Sequence, residues 1–221
     1  MLWLTLAAFF LWLALREIYF GFVPRAGFDR PNASISLPYV VTTALIAAGL
    51  AYTPFRYWQF EQFLSAKARV LSESDKAHVH CNTFVDSVLD TNVFAAGHAN
   101  PETGRMVLQH PWCGELMDHL KRPETTTLKG IQSVHLFTHE AMHVRGELNE
   151  ATTDCQAIQR YARAATLLGV PDALAMQHGM TNYTGPYQQR GAIGGMAGQY
   201  FSAECAPGKA LDESLIDSIW R

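Results

Sequence analysis

The run HEAMHVRGELNEATTD, residues 139–154, holds two histidines four apart around a glutamate, then a glutamate and an aspartate four apart. On a helix, residues four apart share a face. His139 and His143 then aim their imidazoles at one point, as a tetrahedral metal requires. Glu140 starts beside the first histidine, within reach of a water activated by that metal, which is the HExxH arrangement of two ligands and a general base. Leu136, Phe137 and Met142 around the motif favour a buried setting over a polar surface helix. Gly146 closes the helix, and Glu147-Leu148-Asn149 allow a quick turn into a second one. Packed as a hairpin, the second helix brings Glu150 in as third ligand and Asp154 as acceptor for the outer nitrogen of a ligand histidine.

NEATTD resembles the Asn-Glu-Ala-x-x-Asp glutamate helix of thermolysin-like gluzincins. The resemblance implies Zn2+ as cofactor, Glu150 as ligand and Asp154 as the carboxylate supporting a histidine. The spacing departs from those enzymes: only residues 144–149 separate His143 from Glu150, where they place a longer excursion. The whole stretch, with YFSAECAPGKALD at 200–212, is similar to a little-described group of membrane-anchored actinobacterial HExxH proteins. Their pattern is HExxHxRGxxxEAxxEC followed later by Ser-x-Glu-Cys-x-Pro-Gly. The resemblance covers residues 130–165 and 200–212 and scarcely touches the N-terminal part.

Other residues compete for roles. His135 lies one turn before His139 on the same face, but a catalytic zinc keeps its fourth position for water, so His135 reads as a helix-face or cleft residue. A peptidase also needs a donor for the developing oxyanion. Tyr183, Tyr187, Arg190 and His178 lie in the right part of the chain, with an ordinary core or surface role the alternative for each. His78 and His80 form a metal pair only if HVH is a strand.

The elements that must position these groups read as mainly helical. A helix is expected over 130–145, another over 148–168 stopped by Gly169 and Pro171, and a short one over 113–120. TNVFAAG and RMVLQH flank the turn segment NPETG, which predicts a β-hairpin at 91–110. RMVLQH is either the edge strand along which an extended peptide lies, or part of a small sheet covering the zinc helix. The fold class is α+β: two membrane helices, then a helical zincin-like domain with a small hairpin.

The N-terminal residues belong to a different solvent. Residues 1–15 are almost wholly apolar, Arg16 and Glu17 interrupt, and apolar sequence resumes to Pro24; residues 37–54 form a second, uncharged run. A spanning helix needs about 20 mostly apolar residues, so spans are expected at about 2–23 and 37–54. A signal peptide is the rival for the first, although no positive n-region precedes it. One span plus a buried apolar helix is the other alternative. Residues 55–76 read as an amphipathic connecting helix, and 77–221 as the zinc metallopeptidase-like domain. Arg25 and Arg30 favour a cytoplasmic loop between the runs, whereas Arg56, Lys67 and Arg69 pull the other way.

The 221-residue chain has a net charge of −3 and no basic run, which argues against nucleic acid as a partner. All four cysteines lie beyond residue 77, without a CxxC pair. That spacing suits two disulfides in an oxidising compartment; free buried thiols are the alternative. Of three possible pairings, Cys81–Cys113 with Cys155–Cys205 is preferred, because Cys155 follows Asp154 and the bridge would then hold the residues behind the ligands. The expected protein is a cell-membrane zinc metallopeptidase with an extracytoplasmic domain, its partners membrane lipid and a peptide or protein substrate. The alternative is a non-catalytic zinc- and disulfide-stabilised subunit docked to other subunits of a membrane complex.

Overall fold

The computed structural model describes residues 2–22 and 35–220; the loop carrying Arg25 and Arg30 lies outside them. The chain divides into two compact units, Met1–Gln59 and Phe60–Arg221. In the first, α1 (Leu2–Phe22) and the start of α2 (Leu37–Ser72) are long and apolar enough to cross a membrane, with only 11% of each hydrophobic window buried. The apolar run does not end α2 at Pro54. The helix carries that proline inside it and continues to Ser72, so the connecting helix is the same element as the second span. It stops short of residue 76, where Glu73 takes a left-handed conformation, φ 56°.

The second unit is mainly helical around a three-stranded sheet. β1 (His78–Cys81) pairs in parallel with β3 (Arg105–Leu108), and β2 (Gly97–Asn100) pairs antiparallel with β3, giving the order β1-β3-β2. The hairpin expected at 91–110 is present but narrower, because residues 91–96 form turns rather than strand. Its RMVL strand is central, not an edge. Parallel pairing with a strand more than twenty residues upstream covers it, and β1 and β2 become the edges. HVH is indeed a strand, yet its rings are used elsewhere: His78 Nδ1 lies 3.0 Å from the Lys76 carbonyl and His80 Nδ1 lies 2.9 Å from Glu61.

Behind the sheet packs α5 (Leu128–Arg145), with α4 (Trp112–Lys121) against it, followed by α6 (Glu150–Gln159), α7 (Tyr161–Leu167) and α8 (Asp172–Asn182). The helix expected at 148–168 is two helices broken at Arg160, whose side chain turns back to pair with Glu213 at 2.5 Å. Phe137, Met142, Ile158, Tyr161, Met106 and Leu116 fill the core, each at most 1% exposed. Disulfides join Cys81 to Cys113 and Cys155 to Cys205, Cα atoms 5.7 and 5.5 Å apart, and leave no free cysteine. The first staples β1 to α4, and the second staples the C-terminal segment to α6.

Candidate metal centre

α5 starts at a Thr127 cap, whose side chain accepts from the Gly130 N–H, and ends at Gly146 with φ 117°, a conformation costly for any residue with a Cβ. The Gly146 and Glu147 N–H groups return to the His143 and Met142 carbonyls at 2.9 and 3.2 Å, the two bonds of a Schellman stop. Asn149 then caps α6, its Oδ1 accepting from the Thr152 N–H at 3.0 Å. This short reversal lays α6 against α5 and sets Glu150, its first residue, opposite the two histidines.

Three ligand atoms converge there. His139 Nε2 lies 3.0 Å from His143 Nε2 and 3.1 Å from Glu150 Oε2, and the third side, His143 to Glu150, is 3.4 Å. A tetrahedral ion with bonds near 2.05 Å has donor–donor edges of about 3.3 Å, so the triangle is of the size such an ion requires. The outer nitrogens decide the tautomers. His143 Nδ1 sits 2.8 Å from the Glu147 carbonyl, which only accepts, so Nδ1 carries the proton. His139 Nδ1 donates to Asp154 Oδ1 at 3.0 Å. When both rings are neutral, their Nε2 atoms therefore present lone pairs, directed at each other and at a carboxylate oxygen. Three acceptors at this spacing repel unless a cation lies between them, either a metal ion or, in its absence, a proton on His139. This donor set fits a metal ion.

A second group, His135, His139 and Asp154, is also close enough to hold a metal. It is the weaker candidate. His135 Nε2 donates to Asp154 Oδ1 at 2.8 Å, and the Arg190 guanidinium pairs with the other oxygen. Asp154 thus already faces three donors and is 2% exposed at the base of the cleft. Burial alone would raise its pKa, but His135, His139 and Arg190 together hold it well below the usual carboxylate range. His135 is accordingly a partner of Asp154 rather than a fourth ligand.

The triangle opens on a cleft of about 700 Å³, a volume in the range of small-molecule and peptide sites. Glu140 projects into it beside His139. The residue is 3% exposed and its Oε2 has no hydrogen-bond partner. Burial raises its pKa to about 7, with His139 opposing and Glu150 adding to the shift. Its neighbour Gly97 on β2 has no side chain for a reason. A Cβ there would meet Glu140 Oε1 at 3.0 Å and the Val107 carbonyl at 2.9 Å. The strand can therefore press against the carboxylate.

The four oxyanion candidates separate. The Tyr183 hydroxyl donates to the Cys205 carbonyl at 3.1 Å, and Tyr187, 1% exposed, donates to the Ser202 carbonyl at 3.1 Å. Both hold the C-terminal segment in place and neither lines the cleft. His178 is buried against His119, ring centroids 5.3 Å apart, away from the site. Arg190 lines the cleft, but its guanidinium is committed to Asp154. The residue missed by sequence reasoning is Tyr200. Its ring centre lies 5.8 Å from that of His139, it lines the cleft, and its hydroxyl makes no hydrogen bond among the described residues. Its only local signal is its place in YFSAEC; the ties from Tyr183, Tyr187 and Cys155 to residues 202–205 bring it there.

No protein-family model, curated protein or solved structure matches the chain.

Proposed function

We propose that the protein is a membrane-anchored zinc metallopeptidase of gluzincin-like build, hydrolysing peptide bonds in an extracytoplasmic domain. The observation that carries this reading is the pairing of two features on one open cleft: three converging lone-pair donors, His139, His143 and Glu150, and a buried carboxylate, Glu140, with a free oxygen beside them. Zinc, when bound, supplies a Lewis acid that polarises a carbonyl and acidifies water. The chain's own residues do the rest. Glu140, with a pKa near 7, takes a proton from the attacking water and returns it to the leaving amine. Asp154 fixes His139 in the Nδ1–H tautomer, and the Glu147 carbonyl does the same for His143. Tyr200 offers the hydroxyl positioned to stabilise the oxyanion. The unpaired edge of β2 offers backbone groups to an extended peptide. Two disulfides support an oxidising compartment for this unit.

A closed structural zinc site would need a fourth protein ligand, and the nearest histidine, His135, is engaged with Asp154. The test is zinc content and peptidase activity of the wild type beside Glu150→Ala and Glu140→Gln. The reading expects near-stoichiometric zinc, lost in the first variant and retained without activity in the second. Full zinc in Glu150→Ala refutes the ligand assignment; activity in Glu140→Gln refutes the base.

A further inference from the structure

α3 (Phe84–Leu89) is anchored by its polar side. Thr83 and Asp86 form a capping box, and Ser87 Oγ accepts from the His110 N–H at 2.8 Å. Its other side is apolar and bare. At 100° per residue Phe84, Val88, Val85 and Leu89 occupy an arc of about 140°, with Ser87 opposite. Their exposures are 66, 56, 61 and 78%, and Phe94, a few residues on, is fully exposed at 101%. A continuous apolar face of this kind is rare on a soluble surface and marks an interaction site.

The position of α3 says what it meets. Three bonds tie the chain before it to α2. Arg69 Nε donates to the Ala77 carbonyl at 3.1 Å, Val79 N–H to Ser65 Oγ at 2.8 Å, and Cys81 N–H to Glu61 Oε1 at 2.8 Å. Each advance of two residues along β1, roughly 6.6 Å, moves four residues back along α2, roughly 6 Å. The ties at residues 69, 65 and 61 thus lead the chain back along α2 toward Phe60, and α3 is the next element. The same helix carries Phe55, Tyr57, Trp58, Phe60 and Phe63 in sequence after its apolar run, the aromatic composition of a membrane–water boundary.

We propose that the apolar face of α3, together with Phe94, seats in the lipid interface of the bilayer that the N-terminal helices cross. Phe94 also lines the cleft that holds His139 and Glu140. The mouth of the site then opens at the lipid surface. Its substrates are polypeptide segments lying at or just outside a bilayer, not soluble peptides met in bulk water. The lipid contact rests on the membrane-anchor part of the proposed function and is independent of the catalytic part.

The test uses the intact wild-type chain in phosphatidylcholine nanodiscs doped with a phosphatidylcholine bearing a diazirine on its acyl chain. After irradiation, reduction and tryptic cleavage, lipid adducts are mapped by mass spectrometry. The peptide 26–56 from the span, uncut at Arg30 because Pro31 follows it, reports the anchor, 77–105 reports the proposed face, and 210–221, which holds Ile216 at 90% exposure, reports chance contact. The proposal expects adducts in 26–56 and in 77–105 at Phe84, Leu89 or Phe94, at least tenfold above 210–221. The double variant Phe84→Ser with Leu89→Ser should lose the 77–105 adducts without a change in melting temperature, since neither side chain is buried. Adducts in 26–56 with none above background in 77–105 overturn the proposal, including the case where two chains per disc show that a second copy covers the face. No adducts in 26–56 overturns the anchor itself, and the proposal with it.

Discussion

Replacing Asp154 by Asn tests how far the metal triangle depends on what stands behind it. The carboxylate accepts three donors: His135 and His139 on Oδ1, and Arg190 on Oδ2. An amide of the same shape keeps one acceptor oxygen and turns two N–H groups toward whatever faces the other position. If the amide oxygen stays with the histidines, the NH₂ faces the Arg190 guanidinium, and two donors confront each other. If the amide flips, His139 loses the acceptor that holds its proton on Nδ1, and the ring is free to put its proton on Nε2, inside the triangle. In either orientation Asn cannot satisfy all three donors, because each needs an acceptor. Loss of such an outer partner typically costs 10–100-fold in metal affinity, about 1.4–2.8 kcal/mol. Arg190 is partly exposed, so water replaces some of its lost pairing, and the fold should survive.

The assay is competition for Zn2+ between the protein and a chromophoric chelator at pH 7.5, wild type beside Asp154→Asn and Glu150→Gln. The expected order is wild type tightest, Asp154→Asn weaker by 10–100-fold, and Glu150→Gln weakest because a ligand itself is gone. A zinc affinity for Asp154→Asn within threefold of wild type would refute the tautomer argument. A variant that fails to fold would show in its far-UV circular dichroism. In that case Arg190→Lys, which keeps a cation on Asp154, should retain near-native affinity.

Further outcomes follow from the same geometry. Gly97→Ala places a methyl group 3.0 Å from Glu140 Oε1 and 2.9 Å from a rigid strand carbonyl, so peptidase activity should fall at least tenfold while zinc content, measured by mass spectrometry of the metal, stays at wild-type level. Substituting both Cys155 and Cys205 by Ser opens a loop of 50 residues, for which the chain-entropy relation gives about 4 kcal/mol, read by chemical denaturation of the zinc-loaded chain. The same pair of substitutions should also loosen Tyr200 over His139, lowering activity more than zinc content. Tyr200→Phe, which removes only the hydroxyl, should lower kcat by about 100–1000-fold with KM nearly constant, the range typical for loss of one oxyanion donor. An unchanged kcat would remove Tyr200 from the chemistry.

The part of the site legible in the sequence is the part encoded locally. His139, His143, Glu150 and Asp154 meet because two helical periods, one left-handed glycine and one Asn cap determine their relation within sixteen residues. What was not legible depends on distant chain. RMVL looked like an edge because nothing in its own sequence announces a parallel partner at His78–Cys81. Likewise 148–168 has an unbroken helical pattern; nothing local in it announces the break at Arg160, where φ −95° and ψ 4° leave the helix, nor the pairing of its guanidinium with Glu213, more than fifty residues away. Tyr183 and Tyr187 were plausible donors by position alone, and only the carbonyls of Cys205 and Ser202 show their hydroxyls to be occupied. Tyr200 has only its place in YFSAEC as a local signal, and long-range ties place it.

The metal-free protein offers the last test, because the triangle that suits a cation also suits a proton. Burial lowers the His139 pKa, but hydrogen bonds to Asp154 and Glu150 outweigh it and raise the value to about 9. A folded-state pKa raised from 6.5 to about 9 contributes stability that is complete below pH 6.5 and is lost as pH rises through 9. For one group this amounts to about 3 kcal/mol. Glu140 acts in the same direction at lower pH: its raised pKa favours the folded state below about 4.5 and withdraws that preference by about 7. Asp154, with its lowered pKa, contributes stability lost only in strong acid and is silent in this window. The chelator-treated chain should therefore lose melting temperature steadily between pH 6.5 and 9. The zinc-loaded chain should not, because the ion replaces the proton at His139 and binds more tightly as that proton becomes easier to remove. Parallel pH profiles for the two forms would mean that no cation competes with the His139 proton, and the three converging acceptors would need another explanation.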